Sequence, residues 1–244
     1  MNSEKTMEHV AHSNIHARSA LSISDFGHNG VAIVQTLLTP SEIHSLTASI
    51  DASSVGDLRG GLRLADKIIP AIKKLTNHQK IASLARQHLD GPPTLIRAIL
   101  FNKTLDQNWP VAWHQDKTVI VNTPFEQDNW VHWSLKAGKP HVQPPLSVLE
   151  KMVTVRIHLD DATAQNGCLR VIPCSHKKGI LQQKQVLELA KNSDAIDCVT
   201  LAGDALVMKP LIIHASNKSV LNSDRRIIHL EFSDYQLPKG INWG

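Results

Sequence analysis

The sequence predicts a mainly β fold with flanking helices, a barrel or sandwich of short strands, and three observations carry that expectation. From Thr94 onward the chain is a succession of short apolar or alternating runs separated by turn signals such as Asn166-Gly167, the pattern of a sandwich or barrel. Helix signals concentrate earlier, between about residues 39 and 90. A length of 244 residues with 42% hydrophobic content suits one all-β core with helical additions better than two domains.

Composition narrows the function classes. The net charge of +4 comes from scattered pairs, Lys73-Lys74, Lys177-Lys178 and Arg225-Arg226, so a nucleic-acid partner is not expected and an acidic small substrate suits the charge as well. Three cysteines, Cys168, Cys174 and Cys198, lack metal-type spacing and read as reduced core residues of a soluble, cytoplasmic protein. No window approaches the roughly eighteen apolar residues of a membrane span.

Residues 1–20 are polar, with His9, His12 and His16 and no apolar periodicity, so they are expected to form a mobile arm. Residues 21–244 are then one domain, with a helical buttress over about 39–90 and the barrel over about 94–233. Gly30 to Gln35 reads as a short strand. Thr39-Pro40-Ser41-Glu42 reads as a helix start: Thr39 caps, Pro40 suits the first position and Glu42 completes a capping box. Ile43, Leu46 and Ile50 fall on its inward face. A Gly-rich break from Gly56 to Gly61 follows, and Pro70 limits any helix between Leu64 and Leu75. A second helix covers His78 to His88, with Ile81, Leu84 and Leu89 inward.

Leu95 to Phe101 is the first strand of the β region, and a loop carries Trp109-Pro110 into Trp113-His114-Gln115-Asp116. Thr118 to Val121 continues extended. Residues 122–146 are expected to be a long connection, a lid or binding loop whose Trp130 and Trp133 either pack beneath it or touch substrate. Met152 to Leu159 alternates, with Val153, Val155, Ile157 and Leu159 on one face. Thr154, Arg156 and His158 on the other must meet water or a polar cavity. The strand Cys168 to Ile172, a helix over Gln183 to Lys191, β segments at 196–201, 204–209 and 211–216, and a last strand at 225–233 complete the chain.

The chemistry centres on His114 and Asp116. Residues two apart on an extended segment share a face, so an imidazole and a carboxylate converge on one ion. A second imidazole makes the facial triad of non-haem Fe(II) oxygenases, with positions left for cosubstrate and oxygen. The pair alone is weak, because 14 His and 15 Asp in 244 residues give about one His-x-Asp by chance. His158 and Asp160 match it too, and His229 and Glu231 form a His-x-Glu. His214, after the apolar run from Leu211, is the candidate second imidazole, with a core His bonded to a backbone carbonyl as the plain alternative.

Order along the chain separates the pairs. A double-stranded β-helix puts His-x-Asp near its second strand and the distal His near its seventh. About five β segments separate Asp116 from His214, about three separate Asp160 from it, and no His follows His229. Arg225, eleven residues beyond His214, opens the last strand, where this architecture carries a base for the far carboxylate of 2-oxoglutarate.

The chain resembles the phytanoyl-CoA dioxygenase family of Fe(II)- and 2-oxoglutarate-dependent oxygenases. The resemblance lies in Phe101-Asn102-Lys103 leading into His114-Gln115-Asp116, in Asn166-Gly167-Cys168-Leu169, and in Ile172-Pro173-Cys174-Ser175-His176. It continues through Gly203-Asp204, Leu211 to Ser216, and Arg225. It implies a double-stranded β-helix (jelly-roll, cupin-like) barrel, iron on His114, Asp116 and His214, and Arg225 with Ser216 on the distal carboxylate of 2-oxoglutarate. Arg156, where a member can carry an aromatic lining residue, and Lys103 are further candidates for contact with cosubstrate or an anionic substrate. Cys174 stands where the family usually has Gly, so the turn before Ser175 is expected to differ.

The implied reaction is hydroxylation of a small, anionic or zwitterionic molecule with O2, releasing succinate and CO2, with ascorbate as a supporting reductant. A carboxylate at Asp116, where related halogenases carry a small residue, argues for hydroxylation. Two other readings stand beside it. One is a cupin-like metal enzyme without 2-oxoglutarate, for which the tighter His-x-His and Glu arrangement is not found. The other is a non-catalytic β-barrel binding protein whose histidines are structural.

Overall fold

The structure, a computed structural model, describes residues 21–53, 61–104 and 106–244. The arm expected over residues 1–20 and most of the Gly56 to Gly61 break lie outside the described residues.

The helical buttress forms where its local signals place it. Thr39 Oγ1 accepts the Glu42 backbone N–H at 3.3 Å, and the Glu42 carboxylate accepts that of Thr39 at 2.7 Å, which starts the helix Pro40–Asp51. Ile43, Leu46 and Ile50 are buried on it. Pro70 separates Ala65–Ile68 from Pro70–Thr76 and opens the second of these helices, at the position where its missing N–H loses nothing. Gln79–Arg86 buries Ile81 and Leu84. No helix among the described residues is long and apolar enough to cross a membrane.

Among the described residues, thirteen strands fall into three antiparallel sheets. The six-stranded sheet runs β1 (Val31–Val34), β11 (Ala205–Met208), β8 (Met152–His158), β13 (Arg225–Ser233), β3 (Thr94–Lys103), β2 (Leu62–Arg63). The four-stranded sheet runs β10 (Ile196–Cys198), β9 (Leu169–Ile172), β12 (Ile213–Ser216), β4 (Val111–His114). The third is β5 (Val119–Ile120), β7 (Lys139–Gln143), β6 (Val131–Lys136). On the outer face of the large sheet, Leu100, Val153, Val155, Ile157, Ile228 and Leu230 pack against Ile43, Leu46, Ile72 and Ile81 of the helices. On its inner face, Val31, Ile33, Leu206 and Met208 meet Leu169, Val171 and Cys198 of the four-stranded sheet. This is a jelly-roll of two facing sheets; among the described residues no ladder closes them into a continuous barrel.

The alternation of β8 holds: Val153, Val155 and Ile157 face the helices, while Arg156 turns toward the space between the sheets. Residues 122–146 differ from the expected loop, because a hairpin, β6 and β7, occupies much of them. Its two-residue turn, Ala137-Gly138, has φ of +49° and +71°, as a type I′ turn requires. Alanine seldom adopts that conformation, so the sequence carries no strong turn signal there. Trp130 is buried, with its ring 4.7 Å from Phe125 and 6.3 Å from Tyr235, and Trp133 also packs on Phe125. Of the two readings of these tryptophans, packing holds. With the hairpin included, seven strands separate Asp116 from His214.

Candidate active site

β4 and β12 are neighbours, and their register places His114 directly opposite His214, with ring centroids 4.2 Å apart. Two residues beyond His114, the Asp116 backbone N–H donates to Pro210 O at 2.9 Å, which turns its carboxylate toward both rings. Asp116 Oδ1 lies 3.7 Å from His114 Nε2 and Oδ2 lies 3.6 Å from His214 Nε2. One donor atom from each residue falls within 4.8 Å of the others.

The outer nitrogens of both rings are already engaged. His114 Nδ1 sits 2.8 Å from Ala112 O and His214 Nδ1 sits 2.9 Å from Ile212 O. A carbonyl only accepts, so Nδ1 carries the proton in each ring and Nε2 presents a lone pair toward Asp116. Gln115, between the two, points the other way: it donates to Gly179 O and Leu211 O, each at 2.8 Å, and accepts from Leu181 N at 2.9 Å. It fixes the segment from behind, a role no sequence pattern announced.

Electrostatics keep His214 and Asp116 in their ligating forms. Burial pulls the His214 imidazole down to about 3, against the opposite pull of Asp116. Desolvation in the cleft raises the proton affinity of Asp116, but His214, His229, His114 and Arg97 outweigh it and hold the carboxyl well below its usual range. Two imidazole Nε2 atoms and one carboxylate, opening on a cavity, are a donor set suited to a first-row divalent metal with positions to spare.

The rival pairs have other employment. His158 Nδ1 bonds Thr200 Oγ1 at 2.5 Å, and Asp160 accepts from Arg226 Nε at 2.9 Å and Nη2 at 2.8 Å. Arg226 also donates to Asp51, so it ties a helix to the sheet on the outside, whereas its neighbour Arg225 is buried and lines the cavity. His229 and Glu231 face the cavity but are engaged: Glu231 accepts from Arg97 Nε at 3.1 Å and Nη2 at 2.5 Å, and His229 Nε2 lies 3.0 Å from Glu231.

The far end of the cavity is cationic. Arg225 faces Lys103 across β13 and β3, and Arg156 faces His229 across β8 and β13. Lys103 Nζ donates to Ser216 Oγ and Asn217 O, both at 2.7 Å. Arg156 Nη1 donates to His229 Nδ1 at 2.7 Å. The Nε of Arg156 and the Nε and Nη1 of Arg225 are buried without a partner among the described residues. Burial draws Arg156 down to about 10; burial with the repulsion of Arg156 does the same to Arg225; burial with the repulsion of both brings Lys103 down to about 7. Buried cations with no carboxylate against them are stabilised by an anion from outside.

Between these ends lies a cavity of about 700 Å³, walled by Ile99, Phe101, Trp109 and Trp113. All seven residues singled out from the sequence line it: His114, Asp116 and His214 at the metal-type cluster, and Lys103, Arg156, Ser216 and Arg225 at the cationic end. Arg97 and Gln183 also line it and were not anticipated; Arg97, a charge amid the apolar run from Leu95 to Phe101, offered a signal, and Gln183 offered none. Cys174 takes a left-handed φ of +64°, a conformation that favours glycine.

The sequence profile of the phytanoyl-CoA dioxygenase (PhyH) family matches residues 26–227. Among solved structures, AviO1 from Streptomyces viridochromogenes Tue57 superposes with a TM-score of 0.65 at 23% identity, covering 91% of this chain and 96% of that one. The non-haem α-ketoglutarate-dependent carbocyclase SnoK from nogalamycin biosynthesis superposes with a TM-score of 0.66 at 15% identity, covering 89% and 85%. HygX from Streptomyces hygroscopicus, in a crystal structure with nickel, 2-oxoglutarate and hygromycin B bound, gives 0.62 at 15% identity, covering 87% of each chain. No curated protein sequence matches. At these identities the structural likeness shows the fold, and the family profile goes further. The chain belongs to the phytanoyl-CoA dioxygenase family and is a 2-oxoglutarate-dependent non-haem iron enzyme, with Fe(II) and 2-oxoglutarate as its cofactors.

Proposed function

We propose that His114, Asp116 and His214 hold the Fe(II), and that Arg225 seats the distal carboxylate of 2-oxoglutarate, with Lys103 and Ser216 beside it and Arg156 as a further contact. The reaction is hydroxylation of an unactivated C–H bond of a small anionic or zwitterionic molecule with O2, releasing succinate and CO2. One observation carries this reading. Two lone-pair nitrogens and a carboxylate converge at one end of a cavity whose other end holds buried, uncompensated cations, the polarity that a metal and a dicarboxylate would complete.

When bound, the iron and 2-oxoglutarate supply the oxidising power for C–H cleavage. The chain's own residues bind and orient. The carbonyls of Ala112 and Ile212 fix the tautomer of each imidazole, so each ring would offer its Nε2 lone pair to the metal. Arg225 offers a planar fork to a carboxylate, and Ser216 Oγ, already held by Lys103, is placed to assist it. Phe101, Trp109 and Trp113 limit water around the reacting carbon. Asp116 occupies a ligand position that a small residue would leave open, which favours hydroxylation. A purely structural role accounts for the Nδ1 bonds of the two histidines and leaves the convergence of their Nε2 atoms on Asp116 without a purpose.

The test is succinate formation from 2-oxoglutarate by the purified protein with Fe(II), ascorbate and O2, beside His114→Ala. Slow uncoupled succinate formation that disappears in the variant supports the reading. Equal rates in both proteins, or failure of the wild type to bind either iron or 2-oxoglutarate, would overturn it.

A further inference from the structure

The charge of the cavity is not accounted for by the metal and the cosubstrate. Among the described residues, seven cationic side chains and two carboxylates line it, an excess of five within a chain whose whole formal charge is +4. The basic balance of this protein is therefore concentrated in its active-site cavity, and the rest of the molecule is close to neutral. A divalent iron and a dianionic 2-oxoglutarate cancel and leave that excess in place. Of the two carboxylates, Asp116 belongs to the metal-type cluster and Glu231 is neutralised by Arg97.

The cosubstrate end takes three of the cations, Lys103, Arg156 and Arg225. The end marked by Arg97 lies elsewhere: its cross-strand partner Glu231 is six residues along β13 from Arg225, roughly 20 Å at strand rise. Arg63, opposite Ile99 on β3, and Lys136 on β6 also line the cavity, whereas Lys117 Nζ is held by Leu181 O on the side to which Gln115 points. Arg97, Lys136 and Arg63 together oppose protonation of the buried His141, after burial itself, which places these three charges around one region. Lys136 is exposed and Arg63 is half-buried. A cleft lined by one sign of charge between low-dielectric walls focuses its field and raises the local concentration of counter-charged ligands.

We propose that Arg63 and Lys136, beside Arg97, form an oxyanion subsite, so that the substrate carries a phosphate or carboxylate group separate from the carbon that is oxidised. This rests on the seating of iron and 2-oxoglutarate given above. The grouped positive charges favour a dianionic phosphate over a single carboxylate.

The test is calorimetry on full-length protein loaded with Mn(II) and saturated with 2-oxoglutarate, titrated in turn with 1-naphthyl phosphate, 1-naphthoate and uncharged 1-naphthol. The proposal expects phosphate to bind more tightly than carboxylate, and naphthol at least tenfold more weakly than phosphate. Lys136→Glu and Arg63→Glu, at exposed and half-buried positions, should each weaken the phosphate probe about tenfold. Naphthol binding as tightly as the anions, phosphate binding unchanged in both variants, or phosphate displaced by 2-oxoglutarate would each overturn the subsite. Carboxylate binding as tightly as phosphate would overturn the dianion preference. The preceding 2-oxoglutarate titration reads the other claim separately: its failure would overturn the cosubstrate seating and the subsite with it, whereas its success with no anion binding would overturn the subsite alone.

Discussion

Lys103 and Arg225 stand directly opposite each other on adjacent antiparallel strands, two buried cations with no carboxylate bonded to either among the described residues. Like charges in that relation destabilise a sheet. The arrangement makes physical sense as half of a site whose other half is an anion.

The strain is visible in pH dependence. Burial, then Arg225 and Arg156, lowers the Lys103 ammonium from 10.5 to about 7, so between those values the unfolded chain holds a proton that the folded, ligand-free protein lacks. Stability therefore rises with pH across that window and is lowest, for this group, below about 7. Thermal melts of ligand-free protein at pH 6.5 and 9.5 should show wild type gaining on Lys103→Met; parallel shifts in the two proteins would contradict the assignment.

Adding 2-oxoglutarate with Mn(II) should relieve the same repulsion. At a hundredfold excess over Kd the linkage contributes about 2.7 kcal/mol to stability, read as a rise in Tm. Arg225→Gln should weaken 2-oxoglutarate binding by roughly 30-fold or more, because a buried charge-assisted pair contributes about 2–5 kcal/mol when one partner is lost. A change of less than threefold would mean that Arg225 is not the anchor.

Arg97 and Glu231 form the opposite kind of cross-strand pair, joined by two hydrogen bonds and buried on both sides. Removing the cation alone leaves a buried carboxylate, which costs about 3–5 kcal/mol. Arg97→Met should therefore lower the denaturant midpoint sharply, and Arg97→Met with Glu231→Met should recover much of the loss. Equal losses in the single and double variants would show that packing dominates there.

Much of this was legible in the sequence, and the exceptions have physical causes. The capping box at Thr39, the alternation of β8 and the last strand at 225–233 form as expected because their signals are local. The hairpin β6–β7 escaped because Ala137 takes a left-handed conformation that alanine rarely adopts, so a strong turn looked like an ordinary stretch. Chain order and the two-residue spacing singled out His114, Asp116 and His214, which the structure brings within 4.8 Å of one another. Charge bookkeeping in the cavity was hidden: the basic residues look scattered in the sequence, and only the fold gathers them on one inner surface.

The competing histidine pair gives a control. His158→Ala and Asp160→Asn remove groups already bonded to Thr200 and Arg226, so both variants should bind Fe(II) within about threefold of wild type while losing roughly 1–3 kcal/mol of stability. Loss of iron binding in either would move the metal site.

The most direct measurement is an anaerobic equilibrium titration of Fe(II), then 2-oxoglutarate, into wild type, Asp116→Ala and His214→Ala. The account predicts one Fe(II) per chain, 2-oxoglutarate binding that strengthens once the metal is present, and at least a hundredfold loss of iron affinity in both variants. Iron binding that survives removal of Asp116 and of His214, each at wild-type affinity, would contradict it.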